Sequence, residues 1–179
     1  MPILQVNDKK FKPYISAAKI NGRIKELAAE INTEYAGKRP LFIAILNGSF
    51  MFAADLFKEI SIDAEICFIK LASYKGTSST GNVITSIGLD EPLQGRHVII
   101  IEDIVDTGTT MHKFLPQLYA QQPASLKIAA LLHKPEALLH PVAIDFLGFS
   151  VPNIFLLGFG LDYDGLGRNI PEIYQLTAE

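Results

Sequence analysis

The chain has 179 residues, enough for one domain with a sizeable core and too few for two comfortable ones. Hydrophobic residues make up 49% and charged residues 20%, a globular composition that excludes a disordered chain. The net charge is -3 with no long run of Lys or Arg, which excludes a broad nucleic-acid-binding face but not a small anionic ligand in a local pocket.

Met1 to Asp8 lacks the cationic-then-apolar order of a secretory signal. No apolar stretch approaches the roughly 20 residues needed to cross a bilayer. A cytoplasmic protein without membrane contact is expected. From Ser16, the residues Ile20, Ile24, Leu27, Ile31 and Tyr35 recur three or four apart, which predicts a helix capped by Ser16 and stopped by Gly37. Leu41 to Leu46 is a short unbroken apolar run, the pattern of a strand buried on both faces. A second helix is expected over Phe50 to Glu59. Ile62, Ala64, Ile66 and Phe68 alternate, predicting a strand with one covered face. The lone cysteine, Cys67, lies in this apolar stretch and is expected to be an inert buried thiol.

Ser73 to Asn82 is small and polar, the composition of a mobile lid. Strands are expected at Val83 to Ile87, Val98 to Ile101, Leu126 to Leu132, Ala143 to Leu147 and Ile154 to Leu157, with a helix from Thr109 to Gln121. Apolar strands alternating with amphipathic helices predict an α/β fold with a mostly parallel central sheet and helices on both faces. In such sheets ligands bind beyond the carboxyl ends of the strands.

The densest chemistry follows Val98 to Ile101. Two carboxylates, Glu102 and Asp103, come first, then Asp106, then Thr107, Gly108, Thr109 and Thr110 just before a helix. A Gly loop with hydroxyl side chains that opens a helix is a phosphate cradle, because free N–H groups and the helix dipole favour an anion. Carboxylates beside it suit sugar hydroxyls or a hard cation. Phosphate next to sugar hydroxyls describes a ribose 5-phosphate, and Asp106 is placed to exchange a proton with what joins the sugar.

This segment resembles the phosphoribosyl-pyrophosphate motif of the type I phosphoribosyltransferases. Other stretches resemble the family's hypoxanthine-guanine branch, and the match runs through most of the chain. The resemblance implies a single domain over residues 1–179, with a small hood over the site built from N- and C-terminal segments. It implies that Asn47 and Gly48, with Arg168, hold pyrophosphate, and that Ser73 and Tyr74 begin the lid. It implies that Lys134 contacts the purine 6-oxygen, that Phe155 stacks on the base, and that Leu156 and Asp162 complete the base site. Mg²⁺ is implied as cofactor, with Glu102 and Asp103 as its carboxylates and Asp162 as a further contact. Asn47 stands where many relatives carry Lys or Arg. An Asn-Gly pair there would suit a strained peptide whose following N–H groups make the contact.

The implied reaction transfers the phosphoribosyl group from phosphoribosyl pyrophosphate to N9 of hypoxanthine or guanine, giving IMP or GMP and pyrophosphate, in a homodimer or homotetramer. Three alternatives compete. Xanthine could also be a substrate. A non-catalytic regulator could bind phosphoribosyl pyrophosphate as a signal, but would need a basic face for nucleic acid. A phosphohydrolase could use Asp103 or Asp106 as nucleophile. His97, His112, His133 and His140 have no metal-ligand spacing.

Overall fold

A computed structural model describes residues 2–74 and 83–177 of the chain. The elements run β1 (Leu4–Val6), β2 (Lys9–Ile15), α1 (Ala17–Glu34), β3 (Leu41–Leu46), α2 (Phe50–Lys58), β4 (Glu65–Tyr74) and β5 (Val83–Ile87). There follow β6 (His97–Val105), α3 (Thr109–Tyr119), β7 (Ser125–His133), a 3-10 turn (Pro135–Ala137), β8 (Phe146–Ser150), β9 (Leu156–Leu157) and β10 (Ile173–Leu176).

Six strands form the main sheet in the order β5-β4-β3-β6-β7-β8, all parallel except β5 at its edge. The predicted α/β architecture therefore holds. Its central strands are the wholly apolar runs, and Leu41 to Ala44 and Val98 to Ile101 are buried, as a sheet covered on both faces requires. Helices α1 and α2 supply Ile24, Leu27, Phe52 and Leu56 to the cluster on one face, while α3 supplies Met111, Phe114 and Leu118 to the other. Ser16 caps α1 as predicted, its hydroxyl accepting from the Lys19 N–H at 3.3 Å.

Three features differ from expectation. Of the alternating residues, Ile62, Ala64 and Ile66 do pack against the α1–α2 side, but the strand starts only at Glu65, Phe68 is exposed, and Cys67 and the buried Ile69 pack against the α3 side, so both faces are covered. Cys67 is only half-buried, and burial pushes its thiol up to about 11, which keeps it protonated and unreactive at neutral pH. Strand β8 starts at Phe146 rather than Ala143, because Asp145 ends the preceding loop: its carboxylate accepts from Ile128 N–H at 2.9 Å.

A second, antiparallel sheet has the order β1-β2-β10-β9 and joins the first residues of the chain to the last. Its register sets Phe11 opposite both Leu4 and Leu176. Phe11, Leu157 and Tyr174 form its small buried core. Leu156–Leu157 thus belongs here, not to the main sheet as the apolar run at Ile154 to Leu157 suggested.

Candidate active site

The chain order of the parallel strands reverses between β3 and β6, which is where an open α/β sheet leaves a crevice. Here β3 and β6 pair from Leu41 opposite Val98 to Ala44 opposite Ile101, and the pairing then stops. Beyond that point the two strand ends are free to part.

Strand β6 does not end at Ile101 as its apolar run suggested. It continues along β7 through Val105, with Glu102 opposite Ala130 and Val105 opposite His133. Glu102 is 8% exposed, and its carboxylate accepts from the Asp103 N–H at 3.1 Å. Burial, and then the neighbouring Asp103 carboxylate, hold its pKa well above the usual range. Asp103 is pinned in turn, accepting from Ile104 N–H at 2.8 Å. A carboxyl buried against another acid is a destabilising feature, of the kind retained for function. Glu102→Gln is therefore expected to raise the melting temperature of the ligand-free protein, by roughly 2–4 °C for each kcal/mol regained. Thermal denaturation checks this, and a melting temperature at or below that of the parent would show that the buried carboxyl carries no such cost.

The β6–β7 register also explains the next contact. Since Val105 faces His133, the residues just past both strand ends, Asp106 and Lys134, become neighbours. Lys134 is 8% exposed, and its Nζ donates to Asp106 Oδ2 at 3.2 Å. After Asp106 the chain turns through Thr107 and Gly108 into α3. Gly108 has φ +78°, and a Cβ there would overlap the His140 carbonyl oxygen. The Thr107 carbonyl accepts from Leu139 and His140 N–H groups at 2.8 and 3.1 Å. Thr107 and Thr109 bond to each other through their hydroxyls at 3.0 Å. This loop, with Thr110, encloses a cavity of about 80 Å³ at the start of α3.

On the β3 side the Leu46–Asn47 peptide is cis. Asn47 is exposed, and Ser49 is fully buried with its hydroxyl donating to the Ile45 carbonyl at 2.6 Å. Gly48 lies flat against Asp103: a Cβ on it would come within 2.6 Å of the Asp103 Cγ. Only glycine lets the two loops approach so closely.

The third wall comes from the C-terminal segment. Phe155, Leu156, Leu161 and Asp162 line a cavity of about 180 Å³ together with Ile104, Asp106 and Lys134. The two cavities share Ile104 and Asp106. Arg168 donates to the Gly160 carbonyl at 2.7 Å and pairs with Asp162 at 2.8 Å. The other Asp162 oxygen accepts from Gly165 N–H at 2.7 Å.

Most residues singled out in the sequence thus converge on one crevice. Glu102, Asp103, Asp106 and the Thr107–Thr110 loop come from β6, Asn47 and Gly48 from β3, and Lys134 from β7. The described residues hold no group of three or more His, Cys, Asp or Glu side chains gathered around a point; Glu102 and Asp103 stand together, and Asp162 is engaged by Arg168 and Gly165. Ser73 and Tyr74 end β4, paired with Ile84 and Val83. The remainder of the expected lid, 75–82, lies outside the described residues.

The sequence argument missed Gly158 and Gly160. Both have positive φ, +100° and +98°, and a Cβ on them would overlap the carbonyl oxygens of Glu172 and Gly48 respectively. The Gly-Phe-Gly spacing was the available signal, but only the tertiary neighbours reveal why glycine is needed.

Comparison with known proteins agrees with this geometry. The model of the phosphoribosyl transferase domain family matches residues 16–164. The chain belongs to the phosphoribosyltransferase family. Among curated relatives, the hypoxanthine-guanine phosphoribosyltransferase of Lactococcus lactis is 41% identical over 94% of this chain and 92% of its own. The hypoxanthine-guanine-xanthine phosphoribosyltransferase of Tritrichomonas foetus is 42% identical over 86% of this chain and 85% of its own. A crystal structure of a hypoxanthine-guanine phosphoribosyltransferase from Bacillus anthracis superposes with a TM-score of 0.85 at 34% identity, covering 93% of this chain and 98% of that one. Both the family and the type I fold expected from the motifs therefore stand.

Proposed function

We propose that this chain is a purine-salvage enzyme that transfers the 5-phosphoribosyl group of phosphoribosyl pyrophosphate to N9 of hypoxanthine or guanine, releasing IMP or GMP and pyrophosphate. The observation that carries the substrate assignment is the Lys134–Asp106 pair at the junction of the two cavities. A free 6-oxopurine with its imidazole proton on N7 presents an acceptor, O6, beside a donor, N7–H, on one edge. A lysine and a carboxyl group side by side match that edge: Lys134 donates to O6, and Asp106 faces N7. A 6-amino group would offer Lys134 a donor instead of an acceptor, and discrimination of this kind is large.

In this mechanism the Thr107–Thr110 loop holds the 5′-phosphate and Glu102 and Asp103 face the ribose. Two neighbouring hard-oxygen carboxylates, the buried one without a cationic partner among the described residues, suit Mg²⁺, which takes one or two protein carboxylates and completes its shell with water and substrate phosphates. Bound there, Mg²⁺ supplies positive charge to the departing pyrophosphate. Asn47 and Gly48 offer backbone N–H groups to the same leaving group, with Arg168 behind them. Phe155 stacks on the base, a contact worth roughly 1–3 kcal/mol in nucleic-acid sites, and the Leu156 carbonyl accepts from the ring edge. Asp162 stands at the far end of the base. Asp106 takes or shares the N7 proton as N9 attacks C1 of the sugar. The segment from Ser73 and Tyr74 onward would close over the reacting groups and keep water out.

One domain with its hood sheet carries the whole site, and a cytoplasmic homodimer or homotetramer is the form proposed. Xanthine is a second base to consider, because a close relative is named for it. Product formation with Mg²⁺ and phosphoribosyl pyrophosphate, measured separately for hypoxanthine, guanine, xanthine and adenine, tests the proposal. Turnover of a 6-oxopurine and not adenine is expected. Binding of phosphoribosyl pyrophosphate without turnover of any base would overturn the enzyme assignment in favour of a regulator.

A further inference from the structure

Phe155 presents a mechanical problem. It is 44% exposed and lines the larger cavity, so burial alone does not fix its ring. Two other rings surround it. Tyr163 meets it edge to face, with centroids 5.8 Å apart and planes at 84°. Phe11 of β2 lies 6.2 Å away, and Phe11 and Tyr163 are 6.1 Å from each other. The three rings close a triangle. Phe11 is fully buried and held by ladder partners on both sides, Leu4 and Leu176. Tyr163 belongs to a loop, and its hydroxyl donates to Asp8 Oδ1 at 2.7 Å. Asp8 sits in the tight turn between β1 and β2, next to Asn7, whose φ is +51°.

We infer that the Asp8–Tyr163 hydrogen bond positions Phe155 for base stacking, so that the β1–β2 turn takes part in purine recognition without touching the purine. This rests on the base-site assignment above. An aromatic side chain that is ordered before its ligand arrives spares the ligand that ordering cost, about 0.5–1.5 kcal/mol per side chain. Among the described residues, the hydroxyl makes the one hydrogen bond from the Tyr163 side chain to the turn, and it anchors the ring packed against Phe155. The hydrogen bond to Asp8 also pushes the Tyr163 phenol pKa up to about 12. Lys9 Nζ lies 4.0 Å from Asp8 Oδ2. Asp8 and Tyr163 are positioning residues, since neither reaches the reacting atoms.

Steady-state kinetics of the full chain tests the inference. Asp8→Ala and Tyr163→Phe should each raise KM for the purine by about three- to tenfold. KM for phosphoribosyl pyrophosphate and kcat at saturation should stay within about twofold of the parent. Asp8→Asn, which keeps an acceptor oxygen, should restore most of the loss. The double variant should be no worse than either single one, because both remove the same bond. A purine KM unchanged in Asp8→Ala, an equal rise in KM for both substrates, or additive losses in the double variant would overturn it. These outcomes are separable from failure of the function itself: if the parent protein turns over no purine, the base-site assignment falls and this inference falls with it; if the parent turns over purine normally and the variants show no purine-selective loss, only this inference falls.

Discussion

Asp106→Asn is expected to lower kcat by about 10²–10⁴-fold, the usual contribution of a positioned acid–base group. The substitution is conservative where structure is concerned. Lys134 is buried and bonds to Asp106 Oδ2, and an asparagine can keep an acceptor oxygen in that place. What it removes is the capacity to hold the N7 proton. Binding of the phosphoribosyl group and of product nucleotide should therefore survive, with the loss confined to turnover. Single-turnover rates together with calorimetric nucleotide binding separate the two. A variant with near-normal kcat would eliminate Asp106 as the proton-exchanging group.

The second large effect is expected at a residue with no side chain. In Gly160→Ala the new Cβ would overlap the Gly48 carbonyl oxygen, at a φ of +98° that L-residues rarely adopt. The backbone cannot easily yield, because Gly160 N–H donates to the Arg168 carbonyl at 2.9 Å while its own carbonyl accepts from the Arg168 guanidinium at 2.7 Å. A loss of about 2–4 kcal/mol of stability is expected. The displacement should also pull the base wall away from the Asn47–Gly48 loop, so catalysis in the surviving folded fraction falls too. Gly165→Ala is the internal control: its φ is +81°, yet a Cβ there meets nothing within 4 Å. It should cost only the conformational strain, about 1 kcal/mol. Equal melting temperatures for the two variants would show that the contact with Gly48 is unimportant.

How much of this was legible beforehand depended on whether a signal is local. The main sheet was, because strands covered on both faces must be apolar throughout, and Leu41 to Leu46 and Val98 to Ile101 are. The Glu102 to Thr110 segment was legible because its acids, glycine and threonines are contiguous. Strand β6 was cut short at Ile101 since two carboxylates look like the end of a strand, whereas Glu102 stays in the ladder and is buried there, which raises its pKa. Of the hood strands only β9 was legible, within the apolar run Ile154 to Leu157, and its place in the hood was not. Lys9 to Ile15 carries three lysines and Pro13, and its two buried side chains, Phe11 and Ile15, are covered only once the rest of the fold lies beside them. The partners of Gly160 and Tyr163, namely Gly48 and Asp8, are distant in the chain, so no spacing rule connects them.

The disparity between the two sheets bears on turnover. The main sheet rests on two large buried clusters; the hood meets one of them through Ile15, Leu156 and Ile173, and its other side rests only on the small cluster of Phe11, Leu157 and Tyr174. Local opening follows the thinnest core, so the hood should breathe while the strands beneath stay intact. Hydrogen exchange faster at Phe11 and Tyr174 than at Ile43 and Ile100 would be its signature. In the proposed mechanism a nucleotide product is held by its phosphate at the rigid start of α3 and by its base at this looser wall. Departure would then begin at the base end, and the stability of the hood would govern how quickly the enzyme is free for its next cycle.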